Sequence, residues 1–139
     1  MINIKTKLTN DYESITNIYT VVDQWIKDSS GSIFTNTTNS PYFGHISDWD
    51  TSEIDDMSML FYDKRDFNAD ITKWNTQNVT NMANMFNDAT IFDRDIRTWF
   101  VSEETNLYNM FFDTHAFLET YQPDGVFQTP VYTFFRYLF

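Results

Sequence analysis

The chain has 139 residues, 42% of them apolar and 19% aromatic, with a formal net charge of −11 and no cysteine. That length suits one domain with a continuous core, and that composition excludes disorder. The charge argues against nucleic acid and anionic membrane surfaces as partners, and the lack of cysteine excludes a disulfide framework or a thiolate metal site.

The first ten residues lack the long apolar run of an export signal, so secretion by an N-terminal signal is not expected. No window approaches the ~18–20 apolar residues of a membrane span. Residues 1–9 read as an extended lead-in. From Thr9-Asn10-Asp11 the pattern predicts a helix, capped by Asn10 or Asp11, with Glu13 in its first turn. Ile15, Ile18, Tyr19, Val22, Trp25 and Ile26 make one apolar stripe. Its polar face, with Asp11, Glu13, Asp23 and Asp28, is acidic, which disfavours a membrane-surface helix. Residues 29–41 form a polar loop. Without an export signal, its Asn36-Thr37-Thr38 sequon carries no weight.

The next stretch repeats itself. Trp49, Trp74 and Trp99 stand 25 residues apart, and Ile54/Val79, Met57/Met82/Leu107, Leu60/Met85/Met110, Phe61/Phe86/Phe111 and Phe67/Phe92/Phe117 keep the same step. A fixed period in this range signals a solenoid, whose units bury their apolar faces only against neighbours. Each unit divides into an extended piece around its Trp, a short helical turn and a return loop. Ile54, Met57, Leu60 and Phe61 would face inward from the helical turn of one unit. Val79, Met82, Met85 and Phe86 would do so in the next. The expected core is therefore Trp49, Trp74, Trp99, Met57, Met82, Phe61, Phe86, Phe111, Phe67 and Phe92. The helix before the array is expected to cover its open end. With only three glycines, tight turns must rest on Asn and Asp, the other residues most tolerant of positive φ.

The third unit decays, with Glu104 in the Ile/Val column and Phe100-Val101 where the others have Asp or Asn followed by Thr. After Gln122-Pro123-Asp124-Gly125 comes an apolar tail containing Phe134, Phe135, Tyr137, Leu138 and Phe139. Such a tail either caps the last unit or is an anchor buried in a partner. The division is thus 1–41, an N-terminal helix and loop; 42–123, three repeat units; and 124–139, a cap or anchor.

Nothing in the pattern carries catalysis. His45 and His115 fall in different columns, and no phosphate loop, nucleophile elbow or HExxH motif is present. Stacked carboxylates such as Asp70 and Asp95 could hold calcium, but the Gly-rich turns of such sites are missing. The alternative is that Asp, Asn and Thr satisfy backbone groups at the turns. No cofactor and no metal are expected.

The words W-D-T-S-E-I-D-D-M-S-M-L-F (49–61) and W-N-T-Q-N-V-T-N-M-A-N-M-F (74–86) resemble the BspA-like surface-protein repeats, divergent relatives of the leucine-rich repeats. The resemblance implies an α/β solenoid: a short right-handed array with parallel short strands, short helices and an N-terminal capping helix. It also implies a non-enzymatic structural or protein-interaction role. Lys64 and Arg65 replace the family's small residues, so that loop is either splayed or in contact with a partner. The expected setting is the virion or the cytoplasm, for example as a minor capsid-associated component of a large DNA virus. The alternative is a recognition or adhesion module of a cell-surface repeat protein. Partners are expected to be proteins, with the tail and Lys64-Arg65 as candidate contacts and the oligomeric state open.

Overall fold

The computed structural model describes residues 7–27 and 44–121. The expected α/β solenoid is not what forms. Among the described residues there are two short α-helices, α1 (Ile18–Lys27) and α2 (His115–Tyr121), one 3₁₀ turn (Ile46–Asp48) and no strand. Parallel pairing is reduced to isolated bridges, including Asp56 with Asn81 and Asn81 with Asn106. The helical turns expected inside the repeat units are absent as well.

Three irregular coils take their place, each beginning at a tryptophan: coil 1 from Trp49, coil 2 from Trp74 and coil 3 from Trp99. The reason lies in where successive amides point. Those of Leu60, Tyr62 and Lys64 close turns onto the carbonyls of Met57, Met59 and Phe61. Those of Met57, Met59, Phe61 and Asp63 reach the carbonyls of Asn81, Ala83, Met85 and Asn87 in the next coil. Coil 2 repeats the arrangement, with Met82, Asn84, Phe86 and Asp88 donating to Asn106, Tyr108, Met110 and Phe112. Alternate amides therefore bond within the coil and between coils, which permits neither a helix nor a continuous ladder.

The winding needs left-handed residues at fixed places. Met59, Asn84 and Asn109 hold positive φ at one corner, and Asp63, Asp88 and Asp113 at the next. Five of these six are Asn or Asp, which tolerate that region at the lowest cost after glycine. Met59 is the exception and is half exposed. Met59→Asn is expected to raise stability by about 0.5–1 kcal/mol by relieving that backbone cost, read from urea unfolding. An unchanged midpoint would show that Met59 is unstrained.

Side chains stack in files along the array. Phe61, Phe86 and Phe111 lie 5.5 and 5.9 Å apart, and Phe67, Phe92 and Phe117 lie 6.0 and 6.1 Å apart. Within each coil the two phenylalanines stack at 4.1 Å. Trp49 and Trp74 stack at 6.2 Å, and all three repeat tryptophans are buried. Their indole N–H groups are satisfied too: Trp74 donates to the Ile46 carbonyl and Trp99 to the Ile71 carbonyl. Thr51 and Thr76, both buried, pass hydroxyl hydrogen bonds forward to the carbonyls of Asn75 and Phe100. At the corresponding position coil 3 carries Val101, which is buried without making that forward bond.

The N-terminal helix is shorter than the sequence suggests. It starts at Ile18, with Asn17 as its cap; the Asn17 amide oxygen accepts from the Tyr19 and Thr20 amides. Residues 11–16 are turns, because Asp11 and Ser14 capture nearby amides with their own side chains. Ile15 consequently leaves the apolar stripe and is 71% exposed. Of the rest of the stripe, Ile18, Val22 and Trp25 are buried in the shared core and Tyr19 and Ile26 pack against it, and Val21, outside the expected stripe, is buried with them.

The N-terminal segment also closes the first edge of the array. The side-chain amide of Asn10 accepts from the amides of Asp55 and Asp56 and donates to the Asp56 carbonyl. The Tyr19 hydroxyl donates to the Ser58 carbonyl at 2.8 Å. Those two carbonyls are among the four, with those of Leu60 and Tyr62, that would otherwise accept from a preceding coil. Burial pushes the Tyr19 hydroxyl up to about 12, with the Asp56 carboxylate beside it acting the same way. Because the folded value exceeds that of a free tyrosine, its contribution is complete below about pH 10 and lost on rising to about 12. In a spectrophotometric titration, one tyrosine should ionise near pH 12, and that step should vanish in Tyr19→Phe. If the variant leaves the curve unchanged, the assignment is wrong.

Candidate partner-binding face

One corner of the array breaks the rule that large apolar side chains are buried. Residues 58–62, 83–87 and 108–112 lie over one another, held by the forward hydrogen bonds. Coil 1 exposes Met59 and Tyr62, the latter at 41%; coil 3 exposes Tyr108 at 69% and Phe112 at 56%. Between them coil 2 presents the half-buried Ala83 and Asn84, with the buried Asn87 side chain donating to that of Asn84 from beneath. The result is a saddle: two apolar shoulders on either side of a low polar centre, separated by two coil steps of roughly 5 Å each. Sequence reasoning missed this face. The available signal was a departure from the repeat, since Tyr62 and Phe112 flank an asparagine in one column.

The sequence-derived candidates fall elsewhere. Lys64 pairs with Asp23 of α1 at 3.1 Å, and Arg65 pairs with Asp63 at 2.7 Å. Lys64 therefore ties the helix to coil 1, and the loop is not splayed. Both residues line a cavity of about 600 Å³ together with Trp25, Ile26, Phe67 and Asn68. The buried Trp25 indole N–H has no hydrogen-bond partner among the described residues, and its ring meets His45 edge-on at 5.5 Å. Phe134, Phe135, Tyr137, Leu138 and Phe139 lie outside the described residues. The ten core candidates are all buried.

The turn carboxylates are taken up by the backbone. Asp70 accepts from the hydroxyl and amide of Thr72, and these bonds hold its carboxyl below the usual range. Asp95 is lowered by its hydrogen bonds with Arg97. His45, in the same column, accepts from the Ser47 amide and caps the 3₁₀ turn. Among the described residues no group of three or more His, Cys, Asp or Glu is placed to hold a metal ion. Nor is any helix there long and apolar enough to cross a membrane.

A family described as "Mycoplasma protein of unknown function, DUF285" matches residues 28–132, three quarters of the chain. The chain belongs to the DUF285 family. No curated protein and no solved structure matches it. The DUF285 match spans all three coils and the corner that forms the saddle. It brings no catalytic residue or ligand with it.

Proposed function

We propose that this DUF285 chain is a non-enzymatic structural protein that binds a protein partner through the saddle. The observation that carries the reading is the gathering of four exposed large apolar side chains, Met59, Tyr62, Tyr108 and Phe112, at one corner, whereas Ile91 and Phe100 are exposed singly elsewhere in the coils. Exposed aromatic side chains around a polar centre suit protein contacts, where tyrosine and phenylalanine supply area at low entropic cost. The resemblance of the repeats to the BspA-like family supports an interaction role. The same face would serve a minor capsid-associated component of a large DNA virus or a recognition module of a cell-surface repeat protein. The family description, which names Mycoplasma, favours the cellular setting.

The test is retention of partners from extracts of the source by the full chain and by a Tyr62→Ser, Tyr108→Ser, Phe112→Ser variant. All three sites are exposed, so the variant should keep its fold and its melting temperature to within a few degrees. Loss of a partner that the native chain retains supports the reading. Identical retention by both chains overturns it.

A further inference from the structure

The apolar shoulders of the saddle are bordered by a file of carboxylates. Asp63 donates its amide to the Asn87 carbonyl and Asp88 to the Phe112 carbonyl, so Asp63, Asp88 and Asp113 stand over one another at steps of roughly 5 Å. In the chain they directly follow Tyr62, Asn87 and Phe112. All three hold positive φ. That backbone accounts for Asn or Asp, and the other left-handed corner takes the uncharged Asn84 and Asn109. The turn therefore leaves the charge of the file unexplained. Like charges so close also repel one another, well within a screening length.

Other turn carboxylates have local donors: Asp56 accepts from the Ser58 amide and Asp70 from Thr72. In the file Asp63 is paired with Arg65, whose guanidinium also feels Asp88 at longer range. Among the described residues the carboxylates of Asp88 and Asp113 make no hydrogen bond or ion pair. Coils 2 and 3 supply no counter-charge at this corner, since 74–93 and 98–121 contain no lysine or arginine.

We infer that the saddle takes a basic segment of a protein partner, with a large apolar side chain seated between the shoulders and an arginine beside it paired with Asp88 and Asp113. The inference rests on the saddle reading and names the chemistry of its partner. Arginine suits both parts of this border, because its planar guanidinium binds carboxylates and also lies on aromatic rings such as that of Phe112. A second copy of the chain fits poorly, because it would bring another acidic file and a further formal charge of −11 to the contact.

The test is titration of the isotopically labelled full chain with two capped synthetic peptides, Gly-Arg-Leu-Arg-Gly and Gly-Glu-Leu-Glu-Gly, followed through its amide resonances. The arginine peptide should shift Ala83, Asn84, Asp88 and Asp113 and bind at least about tenfold tighter than the glutamate peptide. Asp88→Asn with Asp113→Asn should weaken that binding about fivefold or more and keep the fold, because asparagine holds left-handed φ as readily as aspartate. Equal binding of the two peptides at these amides, or no effect of the double variant, would overturn the inference and leave the saddle reading standing. Shifts confined to other parts of the chain, or none with either peptide at millimolar concentration, would overturn it as well; the saddle itself is tested separately by retention of partners from extracts. Shifts of the same amides on concentrating the chain alone would assign the face to a second copy and also overturn it.

Discussion

Phe86→Ala should lower the free energy of unfolding by about 3–5 kcal/mol, the upper part of the range for single core substitutions. Phe86 is fully buried and is the middle ring of its file. It stacks on Phe61, Phe111 and Phe92 at 5.5, 5.9 and 4.1 Å and lies 6.3 Å from Trp99. Truncation removes the transfer contribution of the ring and leaves a void shared by all three coils, which cannot collapse without breaking the Phe86–Met110 and Met85–Phe61 backbone bonds. The measurement is urea unfolding followed by tryptophan fluorescence and circular dichroism. A loss below about 1 kcal/mol would mean that the coils are held by their backbone bonds alone. Divergence of the two probes would show that the outer coils had become independent.

Trp74→Phe should cost less, about 2–3 kcal/mol, for a different reason. Its indole N–H donates to the Ile46 carbonyl at 2.8 Å in a buried setting, and its ring stacks on Trp49 and lies 5.9 Å from Phe61. Phenylalanine keeps part of the apolar contact but leaves the Ile46 carbonyl only the longer bond from the Trp49 amide, at 3.4 Å, a loss of about 0.5–1.5 kcal/mol, and opens a small void besides. Trp49→Phe makes a useful comparison, since the Trp49 indole donates instead to Gly44, in a part-buried setting. The Trp49 change should therefore be the milder of the two. The reverse order in melting temperature would refute the role given to the buried carbonyl.

The columns of the repeat were legible because position and residue type recur together: tryptophan, methionine and phenylalanine at a 25-residue step are buried wherever the structure describes them. The turn chemistry was legible for the same reason. A chain poor in glycine that must turn left-handed has few residues to choose from, and Asp63, Asn84, Asp88, Asn109 and Asp113 take those places. The secondary structure was not legible. Apolar residues at Ile54, Met57, Leu60 and Phe61 fit a helix, yet the same spacing is produced by successive three-residue turns punctuated by a left-handed Met59. Periodicity records which side chains point inward and is silent on how the amides between them are paired. The start of α1 was misplaced because Asp11 and Ser14 cap local turns as readily as they cap helices. The pairing of Lys64 with Asp23 was not legible, because the two stand 41 positions apart in sequence. The saddle escaped notice because Tyr62 and Phe112 look like two more aromatics in a chain already rich in them.

The one-way run of peptide bonds has an electrical consequence. Among the described residues, eight backbone amides of coils 1 and 2 point toward the following coil, against three, of Thr80, Asn106 and Ala116, that point back to the preceding one. Aligned peptide dipoles add, as they do along a helix. The array therefore carries a field of its own, positive toward coil 3 and negative toward α1, laid over a molecule with a formal charge of −11.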